Sequence, residues 1–265
     1  MRVCTIASGS SGNCIYVGSE STHLLIDAGL SGKRIEQGLN EIGLCGKDID
    51  AVLITHEHAD HIQGLGVISR KLALPIYTAE KTYNAILQGG KIGKIPEGLF
   101  NEISADEIFS IGDIEVHSFS TSHDAADPLG FRFESGDKSF AIATDLGCYN
   151  DYIIRQLTDL DGILVESNHD VRMLEAGAYP YFLKQRILSD RGHLSNEEAG
   201  HLLEHILHDG LKNIILGHLS KENNYPALAM KTVCAEITMG ETPYKAGDFK
   251  IDIAKRDMPG ALLEW

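Results

Sequence analysis

Short runs of apolar residues recur along the chain and predict β-strands. Several of them, such as Ala51–Thr55 and Gly162–Glu166, are apolar at nearly every position, which is typical of strands buried on both faces of a sheet. The predicted strands are Cys14–Gly18, Thr22–Asp27, Ala51–Thr55, Ile114–Phe119, Leu129–Glu134, Ser139–Thr144, Gly162–Glu166, Asn213–Gly217 and Phe249–Ile253. We therefore expect a protein built around extended sheets.

Apolar residues at helical spacing lie between the predicted strands. The clearest helix begins at Ser195, which forms a capping box with Glu198, and we expect it to end near Gly210. Strands and helices alternate along the whole chain without a linker, repeat or low-complexity segment. This alternation predicts an α/β protein with sheets covered by helices, in a single domain over residues 1–265.

Composition and charge narrow the class of protein further. Of the 265 residues, 43% are hydrophobic and 23% are charged, as in ordinary globular proteins. No apolar run approaches the roughly 20 residues of a spanning helix, the N-terminus does not resemble a signal peptide, and the 5 cysteines are scattered. We therefore expect a cytoplasmic protein with no membrane partner. A formal net charge of −15 argues against coating nucleic acid through a basic surface.

The segment Thr55–His61, with the sequence THEHADH, concentrates potential metal ligands directly after a predicted buried strand. A strand that ends in a loop places such side chains at the edge of a sheet, where α/β folds keep their sites. Imidazole and carboxylate ligands indicate a site for Zn²⁺, Mn²⁺ or Fe rather than a structural zinc site with thiolate ligands. A metal site is favoured over a solvent-exposed histidine-rich turn. The candidate ligands are His56, His58, Asp60 and His61.

The spacing His-x-His-x-Asp-His after a strand resembles the signature of the metallo-β-lactamase superfamily. The other elements of that pattern follow in order, as Asp27 in LLIDAG, His123 in TSHDAADPLG, Asp145 in IATDLG and His218 in ILGHLS. The resemblance implies a four-layer αββα sandwich and two divalent metal ions per chain. One ion would be bound by His56, His58, His123 and Asp145. The other would be bound by Asp60, His61, Asp145 and His218. Asp27 would brace the metal loop.

Two positions distinguish branches of this superfamily. Position 58 is His, whereas redox members of the flavodiiron type have Glu there. The bridging position is Asp145, whereas the antibiotic-degrading lactamases that bind a zinc through sulfur have Cys. Hydrolysis is therefore favoured over electron transfer.

The last third of the chain resembles a narrower group. ESNHD at Glu166–Asp170, GHLSN at Gly192–Asn196 and GHLSKENN at Gly217–Asn224 are similar to the bacterial YycJ/WalJ family, as is the opening SGSSGN. Similarity to that family implies that the protein is a 5′-to-3′ exonuclease of double-stranded DNA. A more distant similarity to ribonuclease Z implies that Glu166 orients His193, which would then act as general acid. Asp60 would bind metal and orient the attacking water.

We therefore expect a metal-dependent phosphodiesterase, most simply a 5′-to-3′ DNA exonuclease, in which two ions (Zn or Mn, with Fe as a further candidate) activate water. Nucleic acid, with DNA favoured, would be the substrate, and no organic cofactor is expected. The alternative is a hydrolase of a small ester, such as a cyclic phosphodiester, a lactone or a thioester, which fits the negative charge more easily. A non-catalytic binding module is disfavoured because every ligand position is present.

Three further features leave alternatives open. Lys184, Arg186 and Arg191 precede His193, either as a local track for phosphates or as the exposed side of an amphipathic helix. The run Ser8–Asn13 predicts a hairpin turn rather than a phosphate loop, since no P-loop lysine or helix follows it. His169 is interpreted as making a local structural hydrogen bond rather than contacting substrate.

Overall fold

The computed structural model describes every residue from Met1 to Trp265. The strands are β1 (Arg2–Ala7), β2 (Cys14–Gly18), β3 (His23–Ile26), β4 (Ala51–Leu53), β5 (Ile76–Thr78), β6 (Phe100–Glu102), β7 (Ile108–Ile111), β8 (Ile114–Ser120), β9 (Leu129–Ser135), β10 (Lys138–Ala143), β11 (Gly162–Glu166), β12 (Asn213–Gly217), β13 (Lys250–Ile253) and β14 (Leu263–Glu264). The α-helices are α1 (Gly32–Glu41), α2 (Ala59–Ile62), α3 (Leu65–Leu72), α4 (Glu80–Gly89), α5 (Asp151–Gln156), α6 (Val171–Ala176), α7 (Tyr181–Ile187), α8 (Asn196–Glu204) and α9 (Pro226–Met239). No helix among them combines the length and the apolar sequence of a membrane-spanning segment.

The chain divides into two compact units. Unit 1 comprises Met1–Ser120, Ala125–Lys138 and Lys255–Trp265. Unit 2 comprises Thr121–Asp124 and Ser139–Ala254. That all 265 residues behave as a single domain stays a prediction.

Unit 1 contains a seven-stranded sheet in the order β14-β1-β2-β3-β4-β5-β6. Strands β14, β1, β2 and β3 pair antiparallel, and β3 to β6 pair parallel. The hairpin between β1 and β2 is closed by Ser8–Asn13, which confirms the predicted turn. The hydrophobic core of unit 1 includes Ile6, Leu25 and Val52 from the sheet, with Ile35 and Ile68 from α1 and α3. Burial of these apolar side chains is the main force that holds the helices on the sheet.

Unit 1 also contains an antiparallel ladder of β7, β8 and β9. Strand β8 alternates over its first half, with Ile114 and Val116 buried while Glu115 is exposed. This period of two is that of a strand with one face in the core.

Unit 2 contains the parallel strands β10, β11, β12 and β13, which are hydrogen-bonded in that order. The apolar sequences of β11 and β12 are buried almost throughout, as expected of strands covered on both faces. The carboxyl ends of parallel strands meet at one edge, where α/β folds place their sites. Glu166 ends β11, His218 directly follows β12, and Asp145 lies two residues beyond β10.

All the strands predicted from apolar runs are present, with small differences at their ends, but the structure adds β1, β5, β6, β7 and β14. Strands β5, β6 and β14 have only 2 or 3 residues, too few to show a period. Strand β1 is the strand that the predicted Ser8–Asn13 turn requires before it, and half of β7 is exposed, so β7 has no buried apolar run.

Helix α8 begins after the predicted N-cap, since the Ser195 hydroxyl accepts a hydrogen bond from the backbone N–H of Glu198 at 3.1 Å. The prediction that the helix ends near Gly210 is wrong, because it ends at Glu204. His208 stabilises the turn that follows: its Nε2 contacts the carbonyl of Leu160 at 3.0 Å, and its Nδ1 accepts from the N–H of Gly210 at 3.1 Å.

We predict that Gly29→Ala destabilises the protein by about 1–3 kcal/mol, the usual cost of overpacking. A Cβ at position 29 would lie 1.7 Å from the carbonyl oxygen of Asp60 and 2.7 Å from the backbone nitrogen of Asn13. The free energy of unfolding from urea titration measures the effect. Gly247→Ala is the matched control, because a Cβ there meets nothing within 4 Å. Equal stability of the two variants would contradict the close approach of backbone at Gly29.

Candidate functional site

The predicted ligands of the metal loop come together in unit 1. His56 and His61 are buried, whereas His58 and Asp60 are partly exposed. The ring centroid of His56 lies 4.6 Å from that of His58 and 4.1 Å from that of His61. His61 Nε2 is 3.7 Å from Asp60 Oδ2. These side chains converge because the chain leaves β4 in an extended segment and then turns into the short helix α2.

Asp27, which the resemblance assigns to support of the metal loop, contacts the first and last residues of that loop. Its Oδ1 accepts hydrogen bonds from the backbone N–H of Thr55 at 2.9 Å and from the Thr55 hydroxyl at 3.0 Å. Its Oδ2 lies 2.7 Å from His61 Nδ1. A proton held on Nδ1 by a carboxylate leaves the electron pair on Nε2, which is how metal-binding histidines are commonly oriented.

A second group of predicted ligands comes together in unit 2. Asp145 Oδ1 lies 3.7 Å from His123 Nε2 and 3.6 Å from His218 Nε2. The Nδ1 of His123 donates to the carbonyl of Gly192 at 2.9 Å, so Nε2 is again the nitrogen that carries the electron pair. Burial lowers the pKa of His123, which favours the neutral imidazole that a metal requires.

Glu166 and His193 form the predicted pair, also in unit 2. His193 Nδ1 is 2.8 Å from Glu166 Oε1, and His218 Nδ1 lies 2.8 Å from the same oxygen. Burial raises the pKa of the Glu166 carboxyl, but His193 and His218 together lower it by more, so the group is ionised. The side chain of His193 keeps 18% of its surface exposed. The pair thus joins a buried anion to an imidazole that solvent can reach.

The donor set fits divalent cations. In unit 2, one potential ligand atom from each of Asp145, Glu166, His193 and His218 lies within 4.8 Å of the others. Every candidate ligand in both units offers nitrogen or oxygen, and no thiol is among them, which suits Zn²⁺, Mn²⁺ or Fe.

Comparison with known proteins identifies the family of this chain. The family model described as the beta-lactamase superfamily domain matches residues 22–218. The chain is 43% identical to exodeoxyribonuclease WalJ of Streptococcus pneumoniae, over 98% of this chain and 96% of that protein. It is 44% identical to exodeoxyribonuclease YycJ of Bacillus anthracis, over 88% of each. The chain belongs to the metallo-β-lactamase superfamily, in its WalJ/YycJ family.

Solved structures support the fold in the same way. The short form of human tRNase Z aligns over 100% of both chains with a TM-score of 0.66, although only 15% of residues are identical. The αββα sandwich expected from the sequence is therefore confirmed as the fold of this WalJ/YycJ-family protein.

His169 of the ESNHD motif does not behave as predicted. Both of its ring nitrogens are buried and have no hydrogen-bond partner within the protein, so the interpretation as a local structural hydrogen bond is wrong. Burial lowers the pKa of His169 to about 4, although the Glu166 carboxylate acts in the opposite direction. The ring is therefore neutral at neutral pH.

Sequence reasoning missed two asparagines that hold candidate ligands. In unit 1, the backbone N–H of Asn13 donates to the carbonyl of Asp60 at 2.8 Å, and Asn13 Nδ2 lies 3.1 Å from His61 Nε2. In unit 2, Asn168 Nδ2 donates to the carbonyl of His218 at 2.8 Å. Both asparagines lie in motifs of the WalJ/YycJ family, which was the available signal, but no local pattern reveals partners 47 to 50 positions away.

The basic residues before His193 are engaged within unit 2. The Lys184 ammonium donates to the carbonyl of Glu175 at 2.7 Å, and Arg186 pairs with Asp124. Arg191 donates two hydrogen bonds to the carbonyl of His123, at 3.0 and 3.2 Å. The amphipathic-helix interpretation is wrong, because α7 buries none of its residues. Arg191 instead holds the backbone of a candidate ligand.

We predict that Asp27→Ala lowers the free energy of unfolding by about 2–4 kcal/mol, because it leaves the buried N–H of Thr55 and the Nδ1 of His61 without acceptors. Metal affinity should fall by about 10–100-fold, the usual effect of removing the partner of a ligating histidine. Urea titration and competition with a metal-binding dye measure the two effects.

Asp106→Ala is the matched control for this variant. Asp106 has the same positive φ of 62° as Asp27 but is exposed and lies outside the metal loop, so its replacement includes the cost of the left-handed backbone without the loss of a metal-loop contact. We expect a loss of about 1 kcal/mol and unchanged metal affinity. Equal metal affinity of the two variants would show that Asp27 does not support the metal loop.

Proposed function

We propose that this protein is a metal-dependent DNA exonuclease that degrades duplex DNA from a 5′ end. The observation that carries the proposal is the buried, ionised Glu166 that holds His193, a partly exposed imidazole whose Nδ1 lies 3.8 Å from Asp145 Oδ1. A proton donor matters when the leaving group is a poor one, such as the sugar oxygen of a nucleic acid. The names of the relatives, exodeoxyribonucleases WalJ and YycJ, support DNA as the substrate.

We propose that seven residues would hold two divalent cations, Zn²⁺ or Mn²⁺ with Fe as a further candidate, and that Asp145 belongs to both ligand sets. Bound cations would supply positive charge that stabilises the phosphodiester in its transition state and lowers the pKa of an attacking water. The ligands are His56, His58, Asp60, His61, His123, Asp145 and His218.

Side chains of the protein carry out the remaining steps of the reaction. Asp60 accepts a hydrogen bond from the attacking water and so orients it toward phosphorus. His193 donates the proton on Nε2 to the sugar oxygen as its bond to phosphorus breaks. Glu166 holds the Nδ1 proton of His193, which orients the ring and stabilises its charged form before the transfer. Glu166 is thus a positioning residue, whereas Asp60 and His193 are the catalytic ones.

The overall charge is the observation that favours the second candidate function, hydrolysis of a small ester. A net charge of −15 repels a polyanion at long range, and Lys184 and Arg186 are already engaged within unit 2. Two of the acidic residues, Asp60 and Asp145, are candidate metal ligands, however, and cations would neutralise them. The 5 cysteines are all free thiols, which supports our further proposal that the enzyme works in the reducing cytoplasm.

A substrate panel tests the two functions. Purified protein is supplied in turn with Mn²⁺, Zn²⁺, Fe²⁺ and Mg²⁺, and is given end-labelled duplex DNA, single-stranded DNA, RNA and bis-p-nitrophenyl phosphate. We expect duplex DNA to be shortened from its 5′ end. Asp60→Asn, which should be inactive on every substrate, guards against a contaminating nuclease. Turnover of the small diester with intact duplexes under every metal would contradict the exonuclease and favour the small-ester function.

We predict that His193→Ala slows DNA hydrolysis by about 10²–10⁴-fold, the usual contribution of a general acid. The nitrophenyl diester should lose much less rate, because its leaving group needs little protonation. Measured kcat values on both substrates separate this role from a structural one. Equal losses on the two substrates would show that His193 is not the proton donor.

Glu166→Gln is the companion variant. It preserves the shape of the side chain but removes the negative charge that stabilises protonated His193, so its effect should also be larger on DNA than on the nitrophenyl diester. His201→Ala is the matched control, because His201 lies on α8 and contacts Glu236 rather than any candidate ligand.

A further inference from the structure

A cavity of about 590 Å³ lies in unit 1 and shares a wall with the metal loop. This volume is in the range of sites that bind small organic molecules. Its lining combines hydroxyls, one ammonium, two carboxylates (Glu57 and Asp60), the amide of Gln63 and aliphatic groups. Those that carry the argument are Ser10, Ser11, Asp60, Lys91 and three isoleucines, Ile62, Ile86 and Ile92.

The hydroxyls of this cavity come from the hairpin turn at Ser8–Asn13. Asn13 Oδ1 accepts hydrogen bonds from the Ser8 hydroxyl at 3.2 Å and from the N–H of Gly9 at 2.9 Å, which closes the turn on itself. The N–H of Asn13 is bonded to the carbonyl of Asp60. Ser10 and Ser11, at the tip of the turn, are exposed. The turn therefore holds the backbone of two hydroxyl-bearing residues beside a candidate ligand.

The ammonium comes from Lys91, just beyond the end of α4. Arg70 fixes the segment that follows it, since its guanidinium donates to the carbonyls of Ile92 at 3.3 Å and of Lys94 at 2.7 Å. Gly66 lets this segment approach α3, because a Cβ there would lie 2.0 Å from the Ile92 carbonyl. The backbone next to Lys91 is therefore anchored. Because the Lys91 side chain is exposed, its charge is available to a ligand.

We propose that this cavity binds the terminal nucleotide of the DNA strand being degraded. The inference rests on the proposed function and names the subsite where the end of the substrate lies. Lys91 and the hydroxyls of Ser10 and Ser11 bind the terminal 5′-phosphate through charge-assisted and neutral hydrogen bonds. The isoleucines contact the nucleobase, and aliphatic contact does not discriminate between bases.

The position of Asp60 explains why the occupant is one nucleotide at a strand end. Asp60 orients the attacking water in the proposed mechanism, so a nucleotide in the adjoining cavity presents its next phosphate to that water. The turn bonded to the Asp60 carbonyl fixes the distance between the phosphate site and the reaction centre. An exonuclease that removes residues from an end needs such a fixed spacing.

Equilibrium binding of thymidine 5′-monophosphate tests the subsite without any cleavage. Lys91→Gln should weaken its affinity about tenfold, as expected for one lost hydrogen bond to a charged group. Thymidine, which lacks the phosphate, should bind both proteins equally. Lys94→Gln is the matched control, an exposed lysine three residues away that does not line the cavity, and it should bind as the wild type does.

Cleavage of labelled duplexes gives the second readout. Wild-type protein should favour a 5′-phosphate over a 5′-hydroxyl end, and Lys91→Gln or the double change Ser10→Ala, Ser11→Ala should reduce that preference about tenfold. Ala85→Phe should fill the cavity and weaken binding of thymidine and of its monophosphate alike. Circular dichroism and urea titration verify that each variant is folded.

The outcomes separate this inference from the proposed function. Equal binding of thymidine monophosphate by wild type, Lys91→Gln and the folded Ala85→Phe would overturn the subsite whatever the nuclease assay shows. Intact duplexes under every metal would instead overturn the exonuclease. In that case, weakened monophosphate binding by Lys91→Gln would still support a phosphate subsite in the cavity.

Discussion

The carboxylate of Glu166 is the constraint on which the chemistry of unit 2 depends. It is completely buried, and an ionised group in that position is tolerated only when its oxygens are fully hydrogen-bonded. Two donors are the imidazoles of His193 and His218 on Oε1. The other two are the backbone N–H groups of Leu146 and Leu194 on Oε2, at 2.9 and 3.1 Å. One anion therefore fixes the loops after β10 and β12 and the segment that carries the proposed proton donor.

In unit 1, Asp27 is the buried carboxylate that holds its neighbours by hydrogen bonds, as Glu166 does in unit 2. Strained backbone geometry accompanies both groups of residues. Asp27, Asp145 and His218 have φ values of 62°, 55° and 53°. This left-handed region costs a side-chain-bearing residue about 1–2 kcal/mol. Each of the three comes within two residues of a strand end, so the chain turns sharply as it leaves the sheet. The strain persists because the hydrogen bonds around the site determine the conformation, and it holds the side chains in place before any ligand arrives.

The sequence allowed prediction of the candidate ligands and the parallel core, because both depend on local patterns. A ligand needs a particular side chain at a particular spacing, and a buried parallel strand needs an apolar run. The end of α8, the environment of His169 and the roles of Asn13 and Asn168 depend instead on groups distant in sequence. His208 bonds to Leu160, for example, 48 positions away, and nothing near His208 indicates that partner. Edge strands of 2 or 3 residues escape prediction for a different reason, since their pairing comes from the neighbouring strand.

The shared use of Glu166 has a mechanistic consequence. Because His193 and His218 hydrogen-bond to the same carboxylate oxygen, the position of the proposed proton donor is linked to that of a candidate metal ligand. A displacement of Glu166 Oε1 would move both rings together, and its removal would leave both Nδ1 atoms without this acceptor. One buried anion therefore orients both the residue proposed to bind metal and the residue proposed to protonate the leaving group.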